Sequence, residues 1–292
     1  MARKDDGSAL RFALPKGRMQ EGVVGLLAGA GIRVTVPARG YRPAISLPEA
    51  EAKILKPQNI VEMLALGSRD IGFAGADWIA ELDAEIVELL DTGLDPVRVV
   101  AAAPSALLGQ GGSLPARRLV VASEYERLTR RWVASRGLDA TFVRSYGATE
   151  VFPPEDADLI VDNTATGGTL RANDLVLLDE LMTSSTRCCA SRAAMDDPAK
   201  RERIEGVVML LSSVLEARLR VMVEVNVPAD RLEAVVAALP CMREPTLSTL
   251  HGGAGYAVKA AVPRELLPGV IPEIRRLGGT DVVVTNLAQI VP

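Results

Sequence analysis

The strongest constraint on the fold is an alternation of short apolar segments with helical ones along the N-terminal part of the chain. Short apolar runs are typical of buried strands, and a glycine after a helical stretch is a typical helix end. Strands are predicted at residues 10–14, 32–36, 70–74 and 97–103, with helices at 20–30 and 59–66. This β-α-β order predicts an α/β fold with mostly parallel sheets covered by helices.

A second unit with the same alternation follows. Strands are predicted at residues 118–122, 140–143, 159–161, 175–178 and 186–190, with a helix at 128–135. We divide this part of the chain into a lobe of residues 1–98, completed by about 186–215, and a lobe of residues 99–185. Two such lobes leave a cleft between them, and sheet edges at a lobe interface are a usual ligand site.

The C-terminal part has a different order of elements. A connecting helix is predicted over 199–218, and residues 219–227 (LRVMVEVNV) alternate between apolar and polar as a strand does. The remaining helices and strands are predicted at 228–239, 245–250, 256–262, 263–277 and 281–285. This β-α-β-β-α-β order predicts a small ferredoxin-like domain over residues 216–292.

Composition narrows the class of protein. The net charge is −4 and the pI is about 5.3, which argues against a nucleic-acid-binding surface, because that needs a basic face. His251 is the single histidine, so any catalysis must use carboxylates, cations, hydroxyls and backbone amides. The three cysteines have no CxxC spacing and fit a reducing compartment, with Cys188 and Cys189 expected in the core.

Targeting signals are not evident in the sequence. Residues 1–10 contain no apolar run, so no signal peptide is predicted. The longest uncharged stretch, residues 99–116, is interrupted by prolines and glycines and does not predict a membrane span. We therefore expect a cytoplasmic protein with no membrane partner.

The most informative segment for function is residues 158–170, DLIVDNTATGGTL. A buried strand ends at Asp162, and small residues and hydroxyls follow, which lets backbone N–H groups converge on an anion such as a phosphate monoester. The carboxylate of Asp162 suits ribose hydroxyls. The alternative is a polar loop that happens to contain two glycines, because such loops are common.

Other candidate residues follow predicted strands. Lys16 and Arg18 flank Gly17 and suit contacts with a polyphosphate, although a solvated turn is the alternative. Asp70, Gly75 and Asp77 are expected at the cleft edge, where Asp77 is equally compatible with a helix N-cap.

Several of these segments resemble one family, the ATP phosphoribosyltransferases. The segments that carry the resemblance are LRFALPKGRM, DIGFAGADW, ASEYERLTRRW and TLRAND. The C-terminal segments EPTLSTL and TDVVVTNLAQIVP resemble the regulatory domain of the family's long form. The resemblance covers almost the whole chain. It implies a two-lobed, periplasmic-binding-protein-like catalytic core with mostly parallel sheets, followed by the ferredoxin-like domain as a regulatory domain.

The resemblance also implies an activity: N1 of ATP joins C1 of phosphoribosyl pyrophosphate, pyrophosphate leaves, and histidine inhibits. Mg²⁺ is expected to bind mainly through substrate phosphates, and the assembly is expected to be a homohexamer. The residues implied in catalysis are Lys16, Arg18 and Asp162. Those implied for phosphoribosyl pyrophosphate are Asp162, Asn163, Thr164, Ala165, Thr166, Gly167, Gly168 and Thr169. Those implied for ATP are Lys16, Gly17, Arg18, Gly75, Asp77, Glu124, Tyr125 and Arg130, with Tyr125 stacking on adenine. Those implied for histidine are Asn226, Glu244, Thr246 and Leu247.

Alternative functions remain at this point. The chain departs from the family pattern at Glu126, Arg127 and Gly168, which favours a catalytically weak paralogue that binds nucleotide as a sensor. Two lobes around a cleft also describe solute-binding proteins, although the predicted phosphate-binding segment at residues 158–170 and the lack of a predicted signal peptide argue against that class. The C-terminal domain has oligomerisation alone as its alternative role.

Overall fold

The computed structural model describes residues 9–37 and 40–291. Contacts divide the chain into two units, one with the residues up to 25 and 32–208, the other with 26–31 and the residues from 209 onward. No described helix is long and apolar enough to cross a membrane. Most of the segment that carries the signal-peptide prediction, residues 1–8, lies outside the described residues.

The larger unit contains two five-stranded sheets. Its first elements are β1 (Leu10–Pro15), α1 (Arg18–Gly29), β2 (Val34–Thr35), β3 (Ala44–Ile45), β4 (Ala50–Leu55), α2 (Pro57–Ala65), β5 (Ile71–Gly75), α3 (Ala76–Leu82) and β6 (Ile86–Asp91). They continue with β7 (Val97–Pro104), β8 (Leu119–Ser123), α4 (Glu126–Ser135), β9 (Ala140–Arg144), β10 (Leu159–Thr164), α5 (Gly168–Ala172), β11 (Leu175–Ser184), β12 (Thr186–Ser191), α6 (Arg192–Asp196) and α7 (Pro198–Leu219).

Each sheet has one strand reversed relative to the others. The first sheet has the order β4-β1-β5-β12-β6, in which β12 runs antiparallel to both neighbours. The second has the order β11-β7-β10-β8-β9, in which β7 is the reversed strand. The chain enters the second sheet through β7 and returns to the first through β12. The parallel neighbours are joined by helical crossovers, as parallel pairing requires.

The two crossings between the lobes lie side by side. The Thr186 N–H donates to the Leu94 carbonyl at 2.9 Å, and the Thr92 N–H donates to the Thr186 carbonyl at 3.1 Å. The Thr92 hydroxyl donates to the same carbonyl at 2.7 Å. These bonds pair the outgoing and returning segments at the base of the cleft.

Buried apolar side chains form a separate core for each sheet. In the first lobe, Ile60 and Leu64 of α2 pack against the sheet, next to Cys189. In the second, Trp132 of α4 packs with Leu159 and the apolar faces of β7 and β8. Cys188 and Cys189 are both fully buried on β12, which confirms the expectation that they are core residues.

The smaller unit contains a four-stranded antiparallel sheet with the order β14-β15-β13-β16. Its elements are β13 (Arg220–Val227), α8 (Leu232–Ala238), β14 (Thr246–Thr249), β15 (Tyr256–Pro263), α9 (Leu267–Arg276) and β16 (Thr280–Asn286). Alternate valines of β13, such as Val223 and Val225, are buried against Val235 and Ile274 of the helices. The observed β-α-β-β-α-β order and the two-lobed core confirm the fold class.

The strands that the sequence missed lie at sheet edges. β4 (AEAKIL) and β6 (IVELLD) are the outer strands of the first sheet and carry charged residues, which weakens an apolar signal. The strand predicted at 32–36 is only the short β2, paired with β3. β11 extends to Ser184, well past the predicted end. The contact boundary at 208/209 differs from the border at 215/216, and the residue limits of the three parts stay a prediction.

Candidate active site

The phosphate loop, residues 164–169, connects β10 in the middle of the second sheet to α5. The Thr164 hydroxyl accepts a hydrogen bond from the Gly167 N–H at 2.9 Å, and the Thr166 hydroxyl accepts one from the Gly168 N–H at 3.4 Å. Gly167 has a φ of 72°, a left-handed conformation that favours glycine. The two hydroxyls and this glycine close the turn.

Three amides of the phosphate loop remain available. Within the described residues, no group accepts a hydrogen bond from the N–H of Ala165, Thr166 or Thr169. Successive unpaired amides in a turn form an anion-binding nest. The loop therefore has the donors that a phosphate group needs.

The phosphate loop borders a cavity of about 390 Å³, which we call the phosphate-loop cavity. Its other walls carry three carboxylates, those of Asp162, Glu124 and Glu150. Burial, and next the charges of Glu150 and Glu124, raise the pKa of Asp162 to about 6, although the Asn163 N–H opposes this effect. A phosphate donor set thus faces a wall that carries negative charge.

A second cavity of about 290 Å³ adjoins the first, and we call it the Trp78 cavity. Its apolar wall is formed by Met19, Pro57, Trp78 and Val97. Its polar wall is formed by Lys16, Gly75, Asp77, Asp95, Ser184, Ser185 and Thr186. Arg18 and Asn163 line both cavities, so the two are neighbouring parts of one cleft between the lobes.

Two positively charged side chains, those of Lys16 and Arg18, line this cleft. Arg18 begins α1 after the Gly17 turn, is exposed, and makes no hydrogen bond or ion pair with any residue that the structure describes. Lys16 is also exposed, and its Nζ lies 3.3 Å from the Tyr41 hydroxyl and 5.1 Å from the centre of that ring. Arg18 is therefore the cation that is free to meet a phosphorylated ligand at the seam of the two cavities.

Asp77 is held by two hydroxyls. Ser184 Oγ donates to its Oδ1 at 2.8 Å, and the Tyr125 hydroxyl donates to its Oδ2 at 2.6 Å. The N-cap of α3 is Gly75 and has no side-chain capping bond, so the N-cap interpretation of Asp77 is wrong. A Cβ at Gly75 would collide with this carboxylate, which is why a glycine stands there.

Comparison with known proteins assigns the family. A family model described as ATP phosphoribosyltransferase matches residues 56–213, and one described as HisG, C-terminal domain, matches residues 217–289. An ATP phosphoribosyltransferase of Chlorobium chlorochromatii is 35% identical over 98% of this chain and 99% of its own length. The chain belongs to the ATP phosphoribosyltransferase family. Another relative so named, from Desulforudis audaxviator, is 37% identical over 97% of this chain and 99% of its own length.

A solved structure of an ATP phosphoribosyl transferase (HisG:HisZ) complex from Thermotoga maritima is similar in fold. The TM-score is 0.63 at 27% identity, and the match covers 71% of this chain and 98% of the other. The C-terminal family model marks this chain as the long form of the family.

Tyr125, which was expected at the ATP site of an ATP phosphoribosyltransferase, is buried in the protein interior. Tyr125 is fully buried, and its ring lies 4.7 Å from that of Trp78. Burial, and next the charge of Asp77, raise the pKa of its phenol well above the ordinary value. The expectation that Tyr125 stacks on adenine is wrong for this structure, because no ring face is open. Trp78, the last residue of the DIGFAGADW segment, supplies the aromatic wall of the Trp78 cavity instead.

Two further candidates lie away from both cavities. Arg130 pairs with Glu126 at 2.8 Å and lies over the Phe142 ring, so the structure does not bring it to the ATP phosphoribosyltransferase cleft. Asp70 precedes β5, at the opposite end of the strand from Gly75, and is buried against Arg11 and Lys200. The expectation that Asp70 lies at the cleft edge is therefore wrong, whereas Glu124 does line the phosphate-loop cavity.

In the smaller unit, the residues implied for histidine divide into two groups. Glu244 and Thr246 line a cavity of about 290 Å³ together with Met222, Lys259 and Ile290. Asn226 donates to Asp281 Oδ2 at 3.1 Å, and Leu247 is exposed on β14, and neither lines that cavity.

No ready-made metal site is present in the part of the chain that the structure describes, where no group of three or more histidine, cysteine or carboxylate residues could hold an ion. The carboxylates of Asp162, Glu124 and Glu150 nevertheless face the phosphate-loop cavity, and Glu124 and Glu150 form no ion pair within the described residues. Oxygen donors of this kind suit a hard cation that is also held by substrate phosphates.

Proposed function

We propose that this chain joins N1 of ATP to C1 of phosphoribosyl pyrophosphate, which gives phosphoribosyl-ATP and pyrophosphate, the first step of histidine biosynthesis. The observation that carries the proposal is the phosphate loop, whose free Ala165 and Thr166 amides border a cavity that shares Arg18 with its neighbour. Such a cleft can hold two phosphorylated substrates with their reacting ends together.

The phosphate-loop cavity suits phosphoribosyl pyrophosphate. The 5′-phosphate is proposed to bind the amides and hydroxyls of the phosphate loop, because these are the unpaired donors of that wall. The ribose hydroxyls are proposed to donate to Asp162, which precedes the loop. The pyrophosphate group then extends from C1 towards Arg18 at the seam.

The Trp78 cavity suits the adenine of ATP. Met19, Trp78 and Val97 offer apolar surface to a flat base, and Lys16 and Arg18 offer charge to the phosphates. N1 of adenine carries a free lone pair, so its attack on C1 needs no base. The bond from C1 to the pyrophosphate oxygen breaks with its electron pair on that oxygen. The residues act by alignment and charge neutralisation, which are large contributions to catalysis.

A divalent cation, proposed to be Mg²⁺, would neutralise the charge of the leaving pyrophosphate. Substrate oxygens would hold most of it, because Mg²⁺ keeps phosphates and water as ligands. Asp162, Glu124 and Glu150 are the protein oxygens in reach of the same cavity. Because both substrates are intracellular metabolites, we also infer that the enzyme works in the cytoplasm.

The smaller unit is proposed to bind histidine and inhibit the enzyme. Glu244 and Thr246 support this, since a carboxylate and a hydroxyl at one cavity suit the amino group and imidazole of the inhibitor. A homohexamer is proposed for the assembly. Light scattering should then give a mass six times the 31.0 kDa of the chain.

The test of the function is turnover by the full chain. Purified protein with ATP, phosphoribosyl pyrophosphate and Mg²⁺ should give product that is followed by absorbance, and inorganic pyrophosphate should appear in equal amount. An Arg18→Ala variant should form product at least tenfold more slowly, because a free cation at the seam is lost. Nucleotide binding without any product at high enzyme concentration would contradict the proposal and favour the sensor.

A further inference from the structure

Asn163 occupies the seam of the cleft. It follows Asp162 near the end of β10, and it is one of the two residues that line both cavities. Its side-chain Nδ2 donates to the Tyr125 hydroxyl oxygen at 2.9 Å. This amide therefore lies where the reacting ends of two substrates must meet.

The direction of each hydrogen bond in this group follows from chemistry. Asp77 offers only acceptors when it is ionised, so both the Ser184 and the Tyr125 hydroxyls must donate to it. The Tyr125 phenol keeps its proton, because burial and the Asp77 charge raise its pKa. With its one proton on Asp77, the phenol oxygen can only accept from Asn163.

The orientation of the Asn163 amide is thereby determined. Its NH₂ group faces Tyr125, and its carbonyl Oδ1 is left as the free end. Within the described residues no group donates to this oxygen, and the residue is exposed to the cleft. The cleft therefore presents a fixed hydrogen-bond acceptor at the seam of the two cavities.

Two substrate donors lie beside the reacting atoms. One is the 6-amino group of adenine, next to N1, and the other is the 2-hydroxyl of the ribose, next to C1. Asp162, which lines the phosphate-loop cavity, is already proposed to accept from the ribose hydroxyls. The Trp78 cavity, which the base would occupy, shares Asn163 as one of its polar groups.

We propose that Asn163 Oδ1 accepts a hydrogen bond from the 6-amino group of the ATP base and is a specificity-determining residue of this enzyme. The proposal rests on the proposed function. Tyr125 and Asp77 are positioning residues that act through Asn163. The bond aims N1 at C1 and draws electron density from the amino group into the ring, which makes N1 a better nucleophile. A purine with a 6-oxo group would place an acceptor against an acceptor, so such nucleotides are rejected.

The test compares ATP with purine riboside triphosphate, which lacks the 6-amino group, in the full-length protein. Dissociation constants from calorimetric titration should favour ATP by about 5- to 10-fold in the wild type, as one hydrogen bond predicts. In Asn163→Leu that ratio should fall to about one. An unchanged ratio would overturn the proposal, as would a loss confined to the binding of phosphoribosyl pyrophosphate, which assigns Asn163 to the ribose.

Two further variants test the positioning. Tyr125→Phe removes the partner of the Asn163 amide and lets that amide rotate. The preference for ATP over purine riboside triphosphate should then fall, although Asn163 itself is unchanged. The matched control is Tyr256→Phe, which removes a phenol hydroxyl from β15, outside both cavities, and it should keep the ratio of the wild type. Circular-dichroism melting checks that each variant is folded. A Tyr125→Phe variant that keeps the full ratio overturns the positioning role.

These titrations need no turnover, so they separate the two proposals. If the wild type forms phosphoribosyl-ATP and the ratio does not respond to Asn163→Leu, only the role of Asn163 fails. If no product forms at all, the proposed function fails, whatever the ratio.

Discussion

Asp162 destabilises the folded protein when its carboxyl group is ionised. Its carboxyl has an ordinary pKa of 3.8, which burial and two neighbouring carboxylates raise to about 6 in the fold. A group with a raised pKa binds its proton more tightly in the folded state. The ionised carboxylate therefore lowers the free energy of unfolding most above about pH 6, and this destabilisation disappears below about pH 4. Such a cost is typical of a residue retained for binding rather than for folding.

Asp162→Asn should therefore stabilise the protein at neutral pH and impair it as an enzyme. The pKa difference corresponds to about 2–3 kcal/mol at pH 7.5, and most of this is lost near pH 4. Urea unfolding midpoints at the two pH values measure it, and kcat/KM for phosphoribosyl pyrophosphate should fall at least tenfold. The exposed Asp139→Asn is the control, and equal midpoints of Asp162→Asn and wild type at pH 7.5 would contradict the expectation.

Gly167 carries the turn of the phosphate loop. Gly167→Ala places a Cβ in a left-handed conformation, which costs about 1–2 kcal/mol, and 3.1 Å from Arg171 Nη1. The KM for phosphoribosyl pyrophosphate should rise about 5- to 30-fold as the loop distorts, while the affinity for ATP changes little. Steady-state kinetics with each substrate varied in turn measure both.

Gly137→Ala is the matched control for the loop. Gly137 also has a positive φ, of 62°, and lies after α4 with open space around it. Both variants should lose similar stability, but only Gly167→Ala should lose substrate affinity. Equal kinetic effects in the two variants would mean that general destabilisation, and not the loop, is being measured.

At the scale of elements, α3 holds the start of α4. Glu81 of α3 is buried, and its two carboxylate oxygens accept the N–H groups of Arg127 and Leu128, each at 3.0 Å. The first N–H groups of a helix have no partner within the helix, so this carboxylate satisfies two of them from another element. One turn earlier on the same face, Asp77 holds Tyr125, just before α4. The two acids of α3 therefore fix the helix that carries the phenol.

Glu81→Ala should destabilise the larger unit by about 2–4 kcal/mol, because the buried N–H of Leu128 and the half-buried N–H of Arg127 lose a charged acceptor. The thermal midpoint measures this. Turnover should also fall, since α4 positions Tyr125. The control is Glu85→Ala. The Glu85 carboxylate is exposed, and its contact with Arg192 is long, at 3.9 Å, so this variant should change neither the thermal midpoint nor turnover. A midpoint of Glu81→Ala equal to that of Glu85→Ala would contradict this account of α3.

At the scale of the whole molecule, the proposed regulation belongs to a unit none of whose described residues lines either cavity of the cleft. The cavity with Glu244 and Thr246 lies entirely within the C-terminal unit. Glu244→Ala should raise the histidine concentration for half-inhibition at least fivefold, because a carboxylate partner of the amino group is lost, and leave turnover without histidine unchanged. Inhibition curves measure this, with the exposed Glu265→Ala as control. An unaltered curve for Glu244→Ala would place the histidine site elsewhere.

Much of the order of helices and strands could be predicted from the sequence, because β5 and the first half of β10 are buried apolar runs. The turn at residues 164–169 could be recognised because its small residues and hydroxyls are adjacent in the sequence, and its binding of phosphate stays a prediction. Edge strands with charges, such as β4 and β6, were not, since only pairing with a neighbour makes them strands.

The sequence alone determined the family and the two-lobed core with its C-terminal ferredoxin-like domain, since both depend on short-range patterns. Only the tertiary structure decided that Tyr125 is a buried donor to Asp77, that Trp78 lines the cleft and that Arg130 and Asp70 do not. These assignments join residues that are distant along the chain, such as Asp77 and Ser184. The packing of the lobes determines which side chains are buried and which keep a free polar atom at the cleft. A local sequence pattern does not contain this information.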